Sequence, residues 1–251
     1  MFNKIELESI KNIASIAGDI VMEIYCKDFD VDYKEDASPL TLADLKSNEI
    51  ICDFLKKQYP SIPIMSEENK EVSYDIRKTW EYYWCIDPVD GTKEFIKKND
   101  EFTINIALIY KNTPVLGVVH APALGEMYWA KKGEGAYKNN KRLPLQKNHN
   151  PKEKLYVVAS KSHLSQETQE FIDKLDAKEI VQVSKGSSLK LCMVAEGVAD
   201  IYPRLAPTME WDTAAAHAVV LEAGKKVMQY KSNKSVVYNK KDLFNPWFIV
   251  S

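Results

Sequence analysis

The chain has 251 residues, 45% of them apolar and 28% charged, with a formal charge of −2 at pH 7. That balance suits a folded globular protein with a large core, as one big domain or two modest ones. It excludes a bulk positive field that would draw the chain to nucleic acid or an anionic membrane, so any anion must be held by a local site.

The first segment carries Ile10, Ile13, Ala17, Ile20 and Ile24 at three- and four-residue steps, which predicts an amphipathic helix. Glu6, Glu8 and Asp19 interrupt its apolar character, so it does not read as a secretory signal, and no apolar run approaches membrane-spanning length. The expected setting is the cytoplasm, with peripheral association at the inner face of the cell membrane left open. A polar stretch over 27–39 precedes a second helix over 41–59, with Leu42, Leu45, Ile51, Phe54 and Leu55 toward the core and Pro60 as its stop. Residues 62–65, 82–86, 103–110 and 115–120 read as strands, with Lys111-Asn112-Thr113 as a hairpin turn and the 82–86 run ending at Asp87-Pro88. Residues 127–130 and the Gly133-Glu134-Gly135 turn continue the pattern.

The polar stretch 139–154, with Pro144 and Pro151, marks the expected boundary between an N-terminal α+β part (1–150) and a C-terminal α/β part (151–251). The second part alternates strands at 155–159, 180–183, 200–203, 227–230 and 247–250 with helices at 166–175, 187–196 and 211–223. Such an order predicts α/β or α+β layers rather than a bundle. Cys26, Cys52, Cys85 and Cys192 are widely spaced in apolar runs, which predicts buried reduced thiols rather than disulfides or a zinc site. His120, His149, His163 and His217 show no metal-ligand spacing.

Asp87-Pro88-Val89-Asp90-Gly91-Thr92 follows an apolar strand and opens a helix-like run. Two carboxylates three residues apart repel unless a cation lies between them, and hard oxygen donors without His or Cys select Mg²⁺, Mn²⁺ or Ca²⁺. Gly91 allows close approach of the backbone to a ligand, and N–H groups opening a helix there would face an anion. An Asp-Pro turn with a helix N-cap explains the same six residues equally well. Ser66-Glu67-Glu68 alone reads as a solvated loop. Glu210-Trp211-Asp212 reads as acid complementing a helix dipole, and Thr41 with Asp44 as a capping box.

Taken together, these pieces resemble the inositol monophosphatase superfamily. Asp87–Thr92 is similar to its first signature. Trp211-Asp212-Thr213-Ala214-Ala215 with Glu222-Ala223-Gly224 is similar to its second, although Lys225 stands where a further glycine is common. Ser66-Glu67-Glu68 sits at the expected remove, and Ser38-Pro39-Leu40-Thr41-Leu42-Ala43-Asp44 looks like its Pro-Val-Thr-x-x-Asp element, with Leu40 for valine. Gly91-Thr92-Lys93-Glu94-Phe95, Gly186-Ser187-Ser188-Leu189-Lys190 and Ala199-Asp200-Ile201-Tyr202-Pro203-Arg204 resemble the bisphosphate nucleotidase branch of the CysQ type.

The resemblance implies a layered αβαβα sandwich of the α/β (α+β) class, with the site between the two parts. It implies Glu67, Asp87, Asp90, Asp212 and the Val89 carbonyl as ligands to two or three Mg²⁺ ions, with Mn²⁺ as a substitute and Li⁺ as an inhibitor. Asp44 and Thr92 would activate the attacking water, with Glu67 also catalytic. Asp90, Gly91, Thr92, Lys93, Ser187, Ser188, Lys190 and Asp212 would contact the substrate. The implied reaction is removal of the 3′-phosphate from adenosine 3′,5′-bisphosphate by a monomer or homodimer that binds this small nucleotide and no nucleic acid. The alternatives are inositol phosphate or fructose bisphosphate hydrolysis within the superfamily, or metal and nucleotide binding without catalysis.

Overall fold

The computed structural model describes residues 2–27, 29–34, 39–145, 150–159 and 165–251. Ser38, His149 and His163, named above, lie outside the described residues. The elements run in chain order: α1 (Leu7–Tyr25), β1 (Val31–Tyr33), β2 (Pro39–Thr41), α2 (Leu42–Gln58), β3 (Ile64–Ser66), α3 (Tyr74–Arg77), β4 (Tyr82–Asp90), α4 (Thr92–Ile96), β5 (Thr103–Tyr110), β6 (Thr113–Ala121), β7 (Glu126–Lys131), β8 (Gly135–Lys138), β9 (Lys141–Arg142), β10 (Lys154–Val158), α5 (Gln166–Ile172), β11 (Glu179–Val183), α6 (Leu189–Glu196), β12 (Tyr202–Arg204), α7 (Glu210–Glu222), β13 (Val227–Gln229) and β14 (Phe248–Val250).

Strands β3 to β9 form a seven-stranded sheet in sequence order, with β3 and β4 parallel and the later neighbours antiparallel. Its centre is buried on both faces, which is why β4 and β5 read as nearly continuous apolar runs. Side chains alternate between the faces. Trp84, Ile86, Ile106 and Leu108 pack with α1 and α2, whereas Tyr83, Cys85, Ala107 and Ile109 pack with α6 and α7. Beyond α6 and α7 lie the parallel pair β10–β11, the sheet β12-β14-β13, and α5 against β12. The layers therefore run helix, sheet, helix, sheet, helix, the α/β sandwich expected.

Several local expectations need correction. β4 does not end at Asp87-Pro88 but runs to Asp90, with a shift of register against β5 between Asp87 and Asp90. Proline has no N–H for a ladder, so the strand bulges there and resumes. In α2, Leu42 and Leu45 are 53% and 47% exposed, and the inward face is Ala43, Asp44, Ser47, Ile51, Cys52 and Leu55. A helix turns about 100° per residue, so aiming Asp44 and Ser47 inward turns those two leucines outward. The stretch read as polar connection contains the antiparallel pair β1–β2. All four cysteines are free, but Cys26 is exposed.

Candidate active site

The bulge in β4 is the centre of the site. Asp87, 1% exposed, accepts the Val89 N–H at 3.1 Å. Past Asp90 the chain turns at Gly91, whose φ of 91° suits glycine and lets α4 begin at once. Glu67 follows directly on β3, its N–H donating to the Ile86 carbonyl at 3.2 Å, so strand pairing holds it beside the end of β4. Asp212 lies in the first turn of α7, where its Oδ2 accepts the Met209 N–H at 2.9 Å. One oxygen each of Glu67, Asp87 and Asp212 lies within 4.8 Å of the others. Residues at the ends of β3, β4 and the start of α7, from both halves of the sequence, thus converge on one point.

Electrostatics matches this crowding. Burial, then Glu67, Asp90, Asp212 and Asp44, push the Asp87 carboxyl well above its ordinary value. Burial, then Asp90, raise Asp212 to about 8. Asp90 is raised to about 6 by burial, with Lys190 and the Ser188 N–H drawing it back. Carboxylates that resist ionisation together are a place where a hard divalent cation lowers the energy, and an all-oxygen donor set fits such an ion. The residues present therefore fit a metal.

Asp90 does not join the converging three. Its Oδ2 accepts the Ser188 N–H at 2.5 Å and Asn105 Nδ2–H at 3.3 Å, which ties β4 to the start of α6. Glu68 is also set apart. It pairs with the Lys34 ammonium at 2.5 Å, and that ammonium reaches Glu67 at 2.9 Å. Burial alone would lower the Lys34 ammonium, but Glu68 and Glu67 together hold it above its ordinary value.

On the other side of Asp87 stands a hydroxyl–carboxylate pair. Asp44 is 3% exposed; its Oδ2 accepts from the Thr41 hydroxyl at 2.6 Å and the Thr41 N–H at 2.8 Å, completing the capping box expected at α2. The Thr92 hydroxyl lies 3.3 Å from Asp44 Oδ1 and 3.3 Å from the Val89 carbonyl, with either able to accept. Burial raises the Asp44 carboxyl despite the Thr41 donors.

A cavity of about 510 Å³ opens beside Asp90 and Asp212, lined also by Gly91, Lys93, Ser187, Lys190 and Arg204. Lys93 is exposed at its rim. Ser187 has φ 46° and a buried hydroxyl without a partner among the described residues. Ser188, 2% exposed, turns its hydroxyl away from the cavity to Thr103 and Asn105, each at 2.9 Å. Burial lowers the Lys190 ammonium, with Arg204 adding and Asp90 opposing. Sequence reasoning gave Arg204 and Asn105 no role, although both lie in stretches similar to the bisphosphate nucleotidase branch, Ala199–Arg204 and Phe102–Ala107. Arg204 donates through Nη2 to the Pro207 carbonyl at 3.0 Å and leaves a buried Nε without a partner among the described residues. Within those stretches a basic residue ending a strand and an asparagine inside an apolar strand carried no separate signal of a contact to the site.

Residues 5–247 match the inositol monophosphatase family. The chain belongs to that family. Within it, the chain is 42% identical to the 3′(2′),5′-bisphosphate nucleotidase CysQ of Salmonella typhimurium, over 98% of this chain and 99% of that one. It is 36% identical to the CysQ of Haemophilus influenzae, over 97% and 91%. The crystal structure of CysQ from Bacteroides thetaiotaomicron superposes with a TM-score of 0.87 at 42% identity, covering 98% of this chain and 96% of the other. An inositol monophosphatase (IMPase) from Thermotoga maritima superposes at 0.75 with 26% identity, over 96% and 89%. The family is metal-dependent, and the acidic cluster is of a kind that can hold a metal ion. Among the described residues no helix is long and apolar enough to cross a membrane.

Proposed function

We propose that this chain is a Mg²⁺-dependent phosphatase that hydrolyses the 3′-phosphate of adenosine 3′,5′-bisphosphate to AMP and phosphate. One observation carries the reading: Asp212 of the converging acidic cluster, with Asp90 beside it, lines the same cavity as an enclosed lysine and an arginine whose Nε has no partner among the described residues. A substrate with two phosphates needs both, one group for each end. Whole-chain likeness to proteins named for that bisphosphate supports the choice over inositol phosphate and fructose bisphosphate.

In this reading Glu67, Asp87 and Asp212, with Asp90 and the Val89 carbonyl beside them, hold two or three Mg²⁺ ions, for which Mn²⁺ can substitute and Li⁺ acts as an inhibitor. Bound there, divalent ions supply charge neutralisation for the phosphate, a lowered pKa for water and a counter-charge for the leaving oxygen. The chain's own residues do the rest. Asp44 Oδ1 accepts from the Thr92 hydroxyl, which leaves the Thr92 oxygen able to accept from a water. That water's oxygen bonds to phosphorus as the bond to the ribose 3′-oxygen breaks; one of its protons passes through Thr92 to Asp44 Oδ1, and the freed 3′-oxygen takes a proton from a second water, whose hydroxide is neutralised when Asp44 returns its proton to solvent. Burial raises Asp44 and so makes it a better base than an exposed aspartate. The Gly91 and Thr92 N–H groups face the reacting phosphate. Lys190, Arg204 and the Ser187 hydroxyl receive the nucleoside 5′-phosphate, Lys93 guards the rim, and Ser188 serves by orienting Asp90. The parts 1–150 and 151–251 would then meet at the scissile bond.

The test is phosphate release from adenosine 3′,5′-bisphosphate beside inositol 1-phosphate and fructose 1,6-bisphosphate, with and without Mg²⁺. Mg²⁺-dependent preference for the nucleotide is expected. Preference for either sugar-like substrate would overturn the roles given to Lys190, Arg204 and Ser187 while keeping the metal site, and no release from any would leave a binding protein.

A further inference from the structure

The first turn of α7 holds a second carboxylate that the reaction above does not use. Glu210 precedes Asp212 by two residues and is 0% exposed. A buried carboxylate is costly unless donors replace the water it gives up. Four converge on it: the Asn239 N–H at 2.7 Å, the Lys240 N–H at 3.0 Å, the Lys240 ammonium at 2.5 Å and the Tyr83 hydroxyl at 3.4 Å. Tyr83 belongs to β4, the strand that ends in Asp87 and Asp90.

The segment that supplies the other donors is itself fixed. Arg77, 1% exposed, donates from its guanidinium to Asn239 Oδ1 at 3.1 Å and to the Lys240 carbonyl at 2.5 Å. Asn239 Nδ2 donates back to the Arg77 carbonyl at 2.6 Å. Glu210 is therefore the point at which the start of α7, the strand carrying two acids of the site and a locked corner of the chain are tied together.

Asp212 reaches the acidic cluster from the far end of the sequence, so its oxygen is placed only by how that first turn is seated. Ligand groups must lie within about 0.5 Å of their productive positions to hold an ion well. Resting on the reading of Asp212 as a metal ligand, we propose that Glu210 is a positioning residue for the metal site, and that the cation affinity of the cluster depends on it. A carboxylate that served only the fold would set the melting temperature and leave that affinity alone.

The experiment titrates the full chain with Mn²⁺ and reads the free ion by its electron paramagnetic resonance signal, with melting followed in parallel by circular dichroism. Glu210→Gln keeps the side chain's shape and one acceptor oxygen but loses the ion pair with Lys240. It is expected to bind Mn²⁺ about 10- to 100-fold more weakly, the range for groups that orient metal ligands, and Glu210→Ala at least as weakly. Unchanged affinity in folded Glu210→Gln, with or without a lower melting temperature, overturns the proposal. Lys240→Met leaves Glu210 in place and decides the matter if both Glu210 variants fail to fold: weaker binding supports the proposal and unchanged binding overturns it. Asp212→Asn tests the underlying reading separately. If it binds as tightly as the parent, Asp212 is no ligand; if it binds weakly while Glu210→Gln does not, the positioning role alone is lost.

Discussion

Asp90 and Lys190 face each other across the cavity wall and do opposite things to each other's charge. Lys190 draws the Asp90 carboxyl down from where burial would put it, and Asp90 holds the Lys190 ammonium up against burial. Replacing either leaves the other in poor surroundings, but the consequences differ. Asp90→Asn keeps an acceptor oxygen for Ser188 and Asn105, so the β4–α6 tie survives. It removes a charge beside the cluster. Mg²⁺-dependent turnover is expected to be abolished with the circular dichroism spectrum unchanged, and retained turnover would take Asp90 out of the metal site. Lys190→Met removes a donor from the wall assigned to the second phosphate. A hydrogen bond to a charged group contributes roughly 1.5–3 kcal/mol, so KM for adenosine 3′,5′-bisphosphate should rise about 10- to 100-fold. KM for a monophosphate such as inositol 1-phosphate should move far less, and equal shifts on both substrates would deny Lys190 a part in specificity.

At the scale of elements, the site depends on how closely α7 lies on the seven-stranded sheet. Its residues from Thr213 to Val220 are all buried, and four alanines let its backbone approach. One point of close approach is Gly117 in β6, where an added Cβ would stand 2.1 Å from the Ala215 carbonyl oxygen and 2.9 Å from the Ala218 Cβ. Neither the backbone oxygen nor the helix can yield cheaply. Gly117→Ala is expected to cost about 1–3 kcal/mol or more, as overpacked cores do, and to weaken metal binding because Asp212 moves with the helix. Denaturant unfolding measures the first effect, and unchanged stability would mean that the helix can shift without loss.

The same elements explain what could be read from the sequence. α1, α2 and α7 were legible because a helix announces itself by period or by caps, and β5 and β6 because long apolar runs with Lys111-Asn112 between them leave few alternatives. Both turn residues have positive φ, as a tight hairpin requires. The three-residue strands β1 and β2 are too short for alternation to show in a polar stretch. The exposure of Leu42 and Leu45 follows from tertiary packing that turns Asp44 inward, a choice no periodicity encodes. Asp87, Asp90 and Asp212 stood out by motif, whereas Arg77 looks like any surface charge until the fold encloses it, and Glu210 and Arg204, although they sit beside or within motifs, gave no sign of the partners the fold brings to them.

For the whole molecule, the acidic cluster ties stability to pH and to metal. Asp90 at about 6 and Asp212 at about 8 lie above an ordinary aspartate, and Asp87 is raised as well. Without metal, the folded state therefore keeps protons that the unfolded chain has released, so these groups lower stability as pH rises from about 4 toward about 8. His217 works in the opposite sense. Burial lowers it to about 3, so the unfolded chain holds the extra proton, and stability from this group rises with pH until about 6.5 and is then complete. Above about 6.5 the carboxylates act without that opposition. In chelator, the melting temperature is expected to fall between about pH 6.5 and pH 8, and Asp212→Asn should flatten the fall. Metal reverses the order, because it takes the place of the protons and binds more tightly as they leave. At one hundred times its dissociation constant a ligand stabilises by about 2.7 kcal/mol, so the rise in melting temperature on adding Mg²⁺ should be larger at pH 8 than at pH 6.5. Paired melting curves at the two pH values, with chelator and with Mg²⁺, check both arms. A melting temperature in chelator that does not fall across this window would mean that the cluster is already neutralised without metal, with Lys34 beside Glu67 and Glu68 as the group to remove next.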